Sequence, residues 1–428
     1  MKKFIVDKSK IQGEIAIPPS KSHTLRAILF GSMAKGKTVI HHYLPSPDTY
    51  AMVEACRILG AKIEVLEDPM IIQGLDGKIN HAEDVINAGN SGIVLRFCAA
   101  VGALAKHPVV ITGDQSIRYQ RPMKPLLEGL SRLGVSAKSM RGDFLAPVII
   151  QGPLKSGKTI ISGEDSQPVS ALIIASAFAE GPIEIEVQNP GEKPWVGMTL
   201  SWLDKLKIPY KNNCYNQYSL QGNAQYDGFE YTVPGDFSSA AFPIAAALVT
   251  QSELTVKNLD MNDSQGDKEL ISAFVRMGAH INIDEKNKTL HVKKGNKLSG
   301  IVVDINDYID AITILAVVAC FAEGETVIKN ASIAKVKECN RIQCITNELK
   351  KMGAEINETA DGLIIQKSSL KGYGDLQSHN DHRMAMSLAV AAMGARGPSS
   401  IQSIDCVNKT FPTFLSDFKK LGAVIEEL

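Results

Sequence analysis

The sequence predicts an α/β protein of two lobes, each built from three copies of one helix-and-strand unit. Two recurring phrases and two Pro/Gly breaks predict it. The first phrase is a short amphipathic helix, a Leu-Gly-Ala-like stop and a strand. It reads CRILGAKIEV from Cys56, LSRLGVSAKS from Leu130, LDKLKIPYKN from Leu203, FVRMGAHINI from Phe274, LKKMGAEINE from Leu349 and FKKLGAVIEE from Phe418. The stops at Gly60, Gly134, Lys207, Gly278, Gly353 and Gly422 fall about 70 to 75 residues apart. Glycine suits a helix C-cap in the left-handed region.

The second phrase is an Ala-rich helix that ends near glycine and leads into a strand. Its copies run from Arg26 to Ile40, Val94 to Ile111, Ser170 to Ile185, Ser238 to Val256, Ile312 to Ile328 and His382 to Ile401. Helices so rich in Ala and large aliphatics are expected to be buried on most sides, covered by the sheets. The breaks are 17–20 (IPPS) and 232–236 (TVPGD). They predict one lobe over 19–233 and a second made of 1–18 with 234–428, with hinge crossovers near 17–20 and 232–236.

Bulk properties narrow the function. The chain has 428 residues, with 46 basic side chains balancing 46 acidic ones. No global field recruits nucleic acid or an anionic membrane, so any anion site must be built locally. Seven cysteines without a CxxC pair suggest neither a zinc site nor a disulfide framework, which fits a reducing cytoplasm. The amino terminus shows no cleavage signature and reads as mature. The longest apolar run, Ala311 to Ala322, is too short for a bilayer and suits a buried helix.

Residues 152–159 (GPLKSGKT) match the P-loop pattern G-x-x-x-x-G-K-[ST] at every fixed position. A P-loop needs a helix after its Lys-Thr pair, and here Ile160, Ile161, Ser162 and Gly163 follow, which is strand sequence. The expectation is a hairpin loop between strands 146–151 and 160–162, with nucleotide binding as the alternative.

The chemistry-bearing residues are basic groups in turns, many at helix starts. Lys21 and Arg26 lie in PPSKSHTLR, GNSG spans Gly89 to Gly92, and Arg121 sits in QRPM. Lys337 and Arg341 bracket KECNR, His382 and Arg383 sit in NDHRMAM, and Lys409 opens KTFP. Exposed amides and the helix dipole favour anions at helix starts. Arginine matches carboxylate and phosphate with a bidentate fork, while lysine acts as a point charge. A substrate carrying both anions would use several of each. Two acids stand close by in the sequence, Asp310 in YIDA and Glu338 in KECNR. Either is a salt-bridge partner or, facing a substrate hydroxyl, a proton carrier.

PPSKSHTLR, GNSG followed by Arg96, QRPM, IDA, KECNR, NDHRMAM and KTFP, in that order, resemble the 5-enolpyruvylshikimate-3-phosphate synthase family along essentially the whole chain. The resemblance implies the two-lobed enolpyruvyl transferase fold, an inside-out α/β barrel of six βαβαββ-type repeats. It implies transfer of the enolpyruvyl group of phosphoenolpyruvate to the 5-hydroxyl of shikimate 3-phosphate, releasing phosphate, with no metal and no organic cofactor. A cytoplasmic monomer is expected on the same ground.

By resemblance, phosphoenolpyruvate is held by Lys21, Asn90, Gly92 and Arg121, and by Gln167, Arg341, Arg383 and Lys409. The acceptor falls to Lys21, Ser22 and Arg26, and to Ser166, Gln167, Asp310 and Lys337. The catalytic set is Lys21, Asp310, Glu338 and His382, with Asp310 taking the hydroxyl proton and Lys21 or Glu338 protonating the methylene carbon. Lobe closure would exclude water from the tetrahedral adduct. The sister family, the UDP-N-acetylglucosamine enolpyruvyltransferases, shares the fold, but its acceptor motifs and loop cysteine do not occur here.

Departures from the family pattern gather at the acceptor phosphate. The usual Ser-Ser-Gln is Asp165-Ser166-Gln167, and Ser-Lys-Pro-Tyr is Glu192-Lys193-Pro194-Trp195. A carboxylate near a phosphate is repulsive, so Asp165 and Glu192 weaken the subsite unless paired, with Lys193 the expected partner. An acceptor lacking that phosphate is the competing expectation. Ile333 stands where the family has Asn, and KECNR replaces KESDR or KETDR. Gly92 predicts glyphosate sensitivity, with Phe97 replacing a common proline.

Overall fold

The computed structural model describes residues 2–428. The chain divides into two compact units, Pro19–Val233 and Met1–Pro18 with Pro234–Leu428. Each holds three four-stranded sheets and its own hydrophobic core.

One sheet shows the pattern of all six. Ile86–Asn87, Val109–Thr112, Val148–Gln151 and Ser136–Ser139 lie side by side in that order. The first pair is parallel and the other two are antiparallel. A helix, Gly92–Gly102, connects the parallel pair, as a parallel crossover requires.

Both units borrow strands to complete this plan. In Pro19–Val233 the last strand, Glu230–Thr232, pairs parallel with Lys37–His41 of the first repeat. In the other unit Gly13–Ala16 pairs parallel with Leu254–Lys257, and Lys3–Val6 lies between Ser399–Gln402 and Ile425–Glu427. Phe4 and Val6 point into the core while Lys3 and Ile5 are half-buried, which fixes the register of that strand.

The Ala-rich helices form the inside. Phe237–Val249 is buried along its whole length, and it packs with Ile312–Ala319 and His382–Gly394. In the other unit Gly92–Gly102 packs on Ser166–Phe178. Helices apolar on every face gain most by complete burial, at about 25 cal/mol per Å2. Their first turns are capped. Ser20, Ser91, Asp165, Asp236 and Asp381 each accept a main-chain amide with the side chain.

The amphipathic helices end as their stops predict. Gly60, Gly134, Gly278, Gly353 and Gly422 all have positive φ, between 82° and 108°. Lys207, at the same place in the third repeat, adopts φ 55°. A side chain there costs about 1–2 kcal/mol, so the repeat imposes the turn even without glycine.

Residues 152–159 are not a hairpin. Val148–Gln151 and Gly157–Ser162 belong to different sheets, so the loop passes from one repeat to the next. Its glycine has a packing reason: a Cβ on Gly152 would stand 1.9 Å from the Ala103 carbonyl oxygen. Leu154 N donates to that oxygen at 2.8 Å, closing the end of the Gly92–Gly102 helix. Lys158 lies on a strand, 2.7 Å from Glu184 of the neighbouring strand, and no helix follows it. The nucleotide alternative therefore lacks its setting.

Candidate active site

In Pro19–Val233 the sequence-predicted residues collect at the starts of the central helices. Lys21 opens Lys21–Met33, and its Nζ stands 3.4 Å from the buried Asp48. Arg26 is one turn further on and fully buried. It donates to the Ser22 carbonyl at 3.2 Å, the Trp195 carbonyl at 3.2 Å and Thr199 Oγ1 at 3.0 Å, and lies 5.1 Å from the Phe97 ring centroid. No carboxylate pairs with it among the described residues, and burial lowers its pKa to about 9. Arg26 thus joins two helices through carbonyls and a hydroxyl while keeping an uncompensated charge.

Ser91 caps the next helix, whose first residue is Gly92. A Cβ on Gly92 would meet Arg96 Nη1 at 2.9 Å and Gln167 Oε1 at 3.0 Å. Those two atoms are hydrogen-bonded to each other at 2.8 Å. Glycine here admits a buried Arg–Gln pair against the helix start. Asn90 donates to Asp114 at 2.7 Å, and Arg121 is buried just beyond the Gln115–Gln120 helix.

The altered acids have partners, and Lys193 is not among them. Asp165 Oδ2 stands 3.3 Å from Arg96 Nη2, and its Oδ1 caps Gln167 N at 3.0 Å. Glu192 is buried and accepts both Ser166 N and Ser166 Oγ at 2.9 Å. Lys193 is exposed at the start of Lys193–Lys205, so its charge stays in water. Trp195, two residues along, meets Arg26 through its carbonyl. Glu192 therefore already occupies the helix-start donors of Ser166 that would otherwise suit a substrate anion.

The C-terminal unit makes its polar cluster differently. A 3-10 turn, Asn306–Ala311, leads into Ile312–Ala319 and presents Asp310 where the other central helices have a cap. Arg341 opens Arg341–Lys351 and is buried among three carboxylates: Asp381 at 2.7 Å, Asp310 at 2.6 Å and Glu338 at 2.7 Å. Arg383 donates to the other oxygen of Asp310 at 2.8 Å, and Lys409 to the other oxygen of Glu338 at 2.8 Å. The result is one continuous chain, Arg383–Asp310–Arg341–Glu338–Lys409.

Burial works to raise the Asp310 carboxyl, but Arg383, Arg341 and Lys337 hold it well below the ordinary carboxylate range. Burial equally disfavours the Arg341 charge, yet Asp381, Glu338 and Asp310 hold it more firmly protonated than usual. His382 is wholly buried, with Nδ1 3.7 Å from Asp381. Lys337 is half-buried at the end of the Ser332–Val336 turn.

Several participants escaped sequence reading. Asp381, Asp48 and Asp114 pair with Arg341, Lys21 and Asn90, and Asp267 is bonded to Ser238 and buried near Asp310. Burial first and Asp310 second push the Asp267 carboxyl up to about 7. Helix-cap position was the available signal for Asp381 and Asp114.

A family model described as EPSP synthase (3-phosphoshikimate 1-carboxyvinyltransferase) matches residues 5–418. The chain belongs to the EPSP synthase family. A 3-phosphoshikimate 1-carboxyvinyltransferase of Acetivibrio thermocellus is 44% identical over 420 residues, covering 98% of each chain. One of Chlamydia caviae is 44% identical over 426 residues, covering 99% of this chain and 94% of its own. The solved EPSP synthase of Acinetobacter baumannii has a TM-score of 0.83 at 28% identity, covering all of both chains. The fold of this family member is the two-lobed α/β architecture of EPSP synthases, with three repeats per lobe.

Proposed function

We propose that this protein is a 3-phosphoshikimate 1-carboxyvinyltransferase. It moves the enolpyruvyl group of phosphoenolpyruvate to the 5-hydroxyl of shikimate 3-phosphate by addition and elimination, releasing phosphate. The observation that carries the reading is the chain Arg383–Asp310–Arg341–Glu338–Lys409, in which two acids are each shared by two cations.

Such sharing couples anion binding to basicity. Asp310 is a weak base while both arginines hold it. A substrate carboxylate or phosphate that takes up the Arg341 and Arg383 forks withdraws those partners, and Asp310 becomes a stronger base as the substrate binds. It then accepts the acceptor's hydroxyl proton. Glu338, shared by Arg341 and Lys409, is relieved in the same way, and it or Lys21 delivers the proton to the methylene carbon. Lys21, Asn90, Gly92, Arg121 and Gln167 complete the phosphoenolpyruvate set, with His382 beside it. Lys21, Ser22, Arg26, Ser166, Gln167, Asp310 and Lys337 serve the acceptor. Fixed cations stabilise charge in the adduct because they are already oriented.

The pairing of Asp165 with Arg96 leaves that carboxylate neutralised without a substrate cation, while the phosphorylated acceptor would have to displace Glu192 from Ser166 to use its donors. The test is phosphate release from phosphoenolpyruvate with shikimate 3-phosphate or with shikimate. Turnover with the phosphorylated acceptor is expected, and turnover with shikimate alone would overturn the reading.

A further inference from the structure

Beside the Arg341 network lies a second line of chemistry-bearing side chains. Asn340 caps Arg341–Lys351, so Cys339 stands one residue before the cap and Cys344 at the fourth helical position. Side chains at those two places meet across the helix start, where proteins commonly put a pair of apolar residues. Here both are free thiols, Cys339 half-buried and Cys344 buried. The Cys339 thiol lies against Cys344 and 3.7 Å from Asp381 Oδ2.

On the other side of Cys344 comes His379, which is bonded in turn to Glu348 at 3.0 Å. Glu348 follows Cys344 by four residues and so shares its helix face. It also accepts Gln377 N at 2.9 Å and pairs with Lys351 at 2.8 Å, which fixes it as the orienting acid. The line is Cys339–Cys344–His379–Glu348. Among the described residues no group of three or more His, Cys, Asp or Glu is arranged to hold a metal ion.

We propose that Cys339 and Cys344 form a peroxide-sensitive dithiol, closing to an intramolecular disulfide that displaces the Glu338–Arg341 turn and stops the reaction. The Cys344 thiolate attacks one oxygen of hydrogen peroxide. The O–O bond breaks, and with one proton the second oxygen leaves as water and Cys344 becomes a sulfenic acid. The Cys339 sulfur then attacks Cys344, the S–O bond breaks, and the Cys339 proton leaves with the oxygen as a second water. Two thiols and one peroxide give one disulfide and two waters.

The electrostatics agree with that order. Hydrogen bonds from Cys339 first and from His379 lower the Cys344 thiol to about 6 against burial and the Asp381 charge. Cys339 is raised, first by its hydrogen bond to Cys344, then by burial and by the charges of Asp381 and Cys344, although Arg341 opposes this. A thiolate populated at neutral pH is the reactive form. Because Cys339 sits between Glu338 and Arg341 in the chain, pulling its sulfur onto Cys344 moves both.

The loss of activity rests on the proposed transferase reading, but the disulfide does not, so peptide mass is measured beside activity. The full chain is treated with hydrogen peroxide, alkylated and digested with trypsin without reductant. Cleavage after Lys337, Arg341 and Lys350 should yield ECNR joined to IQCITNELK, with activity lost in step and restored by a dithiol. Cys344→Ser should keep basal activity and lose the peroxide response. Cys339→Ser should stop at a sulfenic acid that dimedone traps on Cys344. The oxidation rate should rise through pH about 6 and level off, rather than rising through the ordinary thiol range near about 8.5. Absence of the joined peptides, oxidation confined to Cys406 or Cys214, or inactivation that persists in Cys344→Ser would overturn the proposal.

Discussion

The two units share one repeat, but each holds one buried arginine in an opposite way. In Pro19–Val233 the buried Arg26 is held by carbonyls and a threonine hydroxyl, with no acid paired to it among the described residues. In the C-terminal unit the buried Arg341 touches three acids, and Arg383 and Lys409 each hold one of them. A positive group left uncompensated is suited to holding an anion. One shared with an acid is suited to letting that acid's basicity change when an anion arrives. On the proposed reading the acid that accepts the hydroxyl proton lies in the C-terminal unit, and the uncompensated arginine that serves the acceptor lies in the other.

Breaking the C-terminal cluster should have the largest effect. Asp310→Asn should lower kcat by about 10^2- to 10^4-fold, the usual worth of a general base. Single-turnover rates check this, and a loss below tenfold would move the role to Glu338. Arg341→Lys should cost about 3–5 kcal/mol of stability in chemical unfolding, because a point charge cannot satisfy the buried Asp381 together with Asp310 and Glu338. The Asp310 folded pKa lies below its unfolded value, near 3.9. Its stabilising contribution is therefore complete above that value and lost as pH falls towards the folded one. An acid titration of unfolding should show the Asp310→Asn protein losing less stability than the parent below about pH 4.

Effects in the other unit should be smaller and appear in KM. Gly92→Ala places a methyl against Arg96 and Gln167. The far ends of both side chains can yield, so KM for phosphoenolpyruvate should rise by about tenfold, or about 1.4 kcal/mol, with kcat nearly kept. An unchanged KM would mean that the Arg96–Gln167 pair does not bear on that substrate. The smallest effect belongs to Lys158→Ala. Its exposed pair with Glu184 is worth at most about 1 kcal/mol, and neither turnover nor nucleotide binding should change.

The sequence exposed what local physics controls. Left-handed stops after amphipathic helices, apolar helices buried by their neighbours, and basic residues at helix starts all follow from short-range rules. Lys207 was legible as a stop only because five other repeats supplied the pattern. Long-range pairing was not legible. Strand character at 146–151 and 160–162 is plain in the sequence, but which sheet each joins is not, so a link between repeats reads as a hairpin. Lys193 is the partner the sequence suggests for Asp165 and Glu192, whereas the fold brings Arg96 to Asp165 from the preceding repeat. Asp381 was passed over beside His382 and Arg383, although it both caps its helix and holds Arg341.

On the proposed reading an enolpyruvyl group moves intact to the acceptor. NMR of a reaction containing phosphoenolpyruvate and shikimate 3-phosphate tests it most directly. Vinyl protons of an enol ether are expected on an acceptor that keeps its phosphate, with one inorganic phosphate formed per product. Pyruvate and unchanged shikimate 3-phosphate would contradict it.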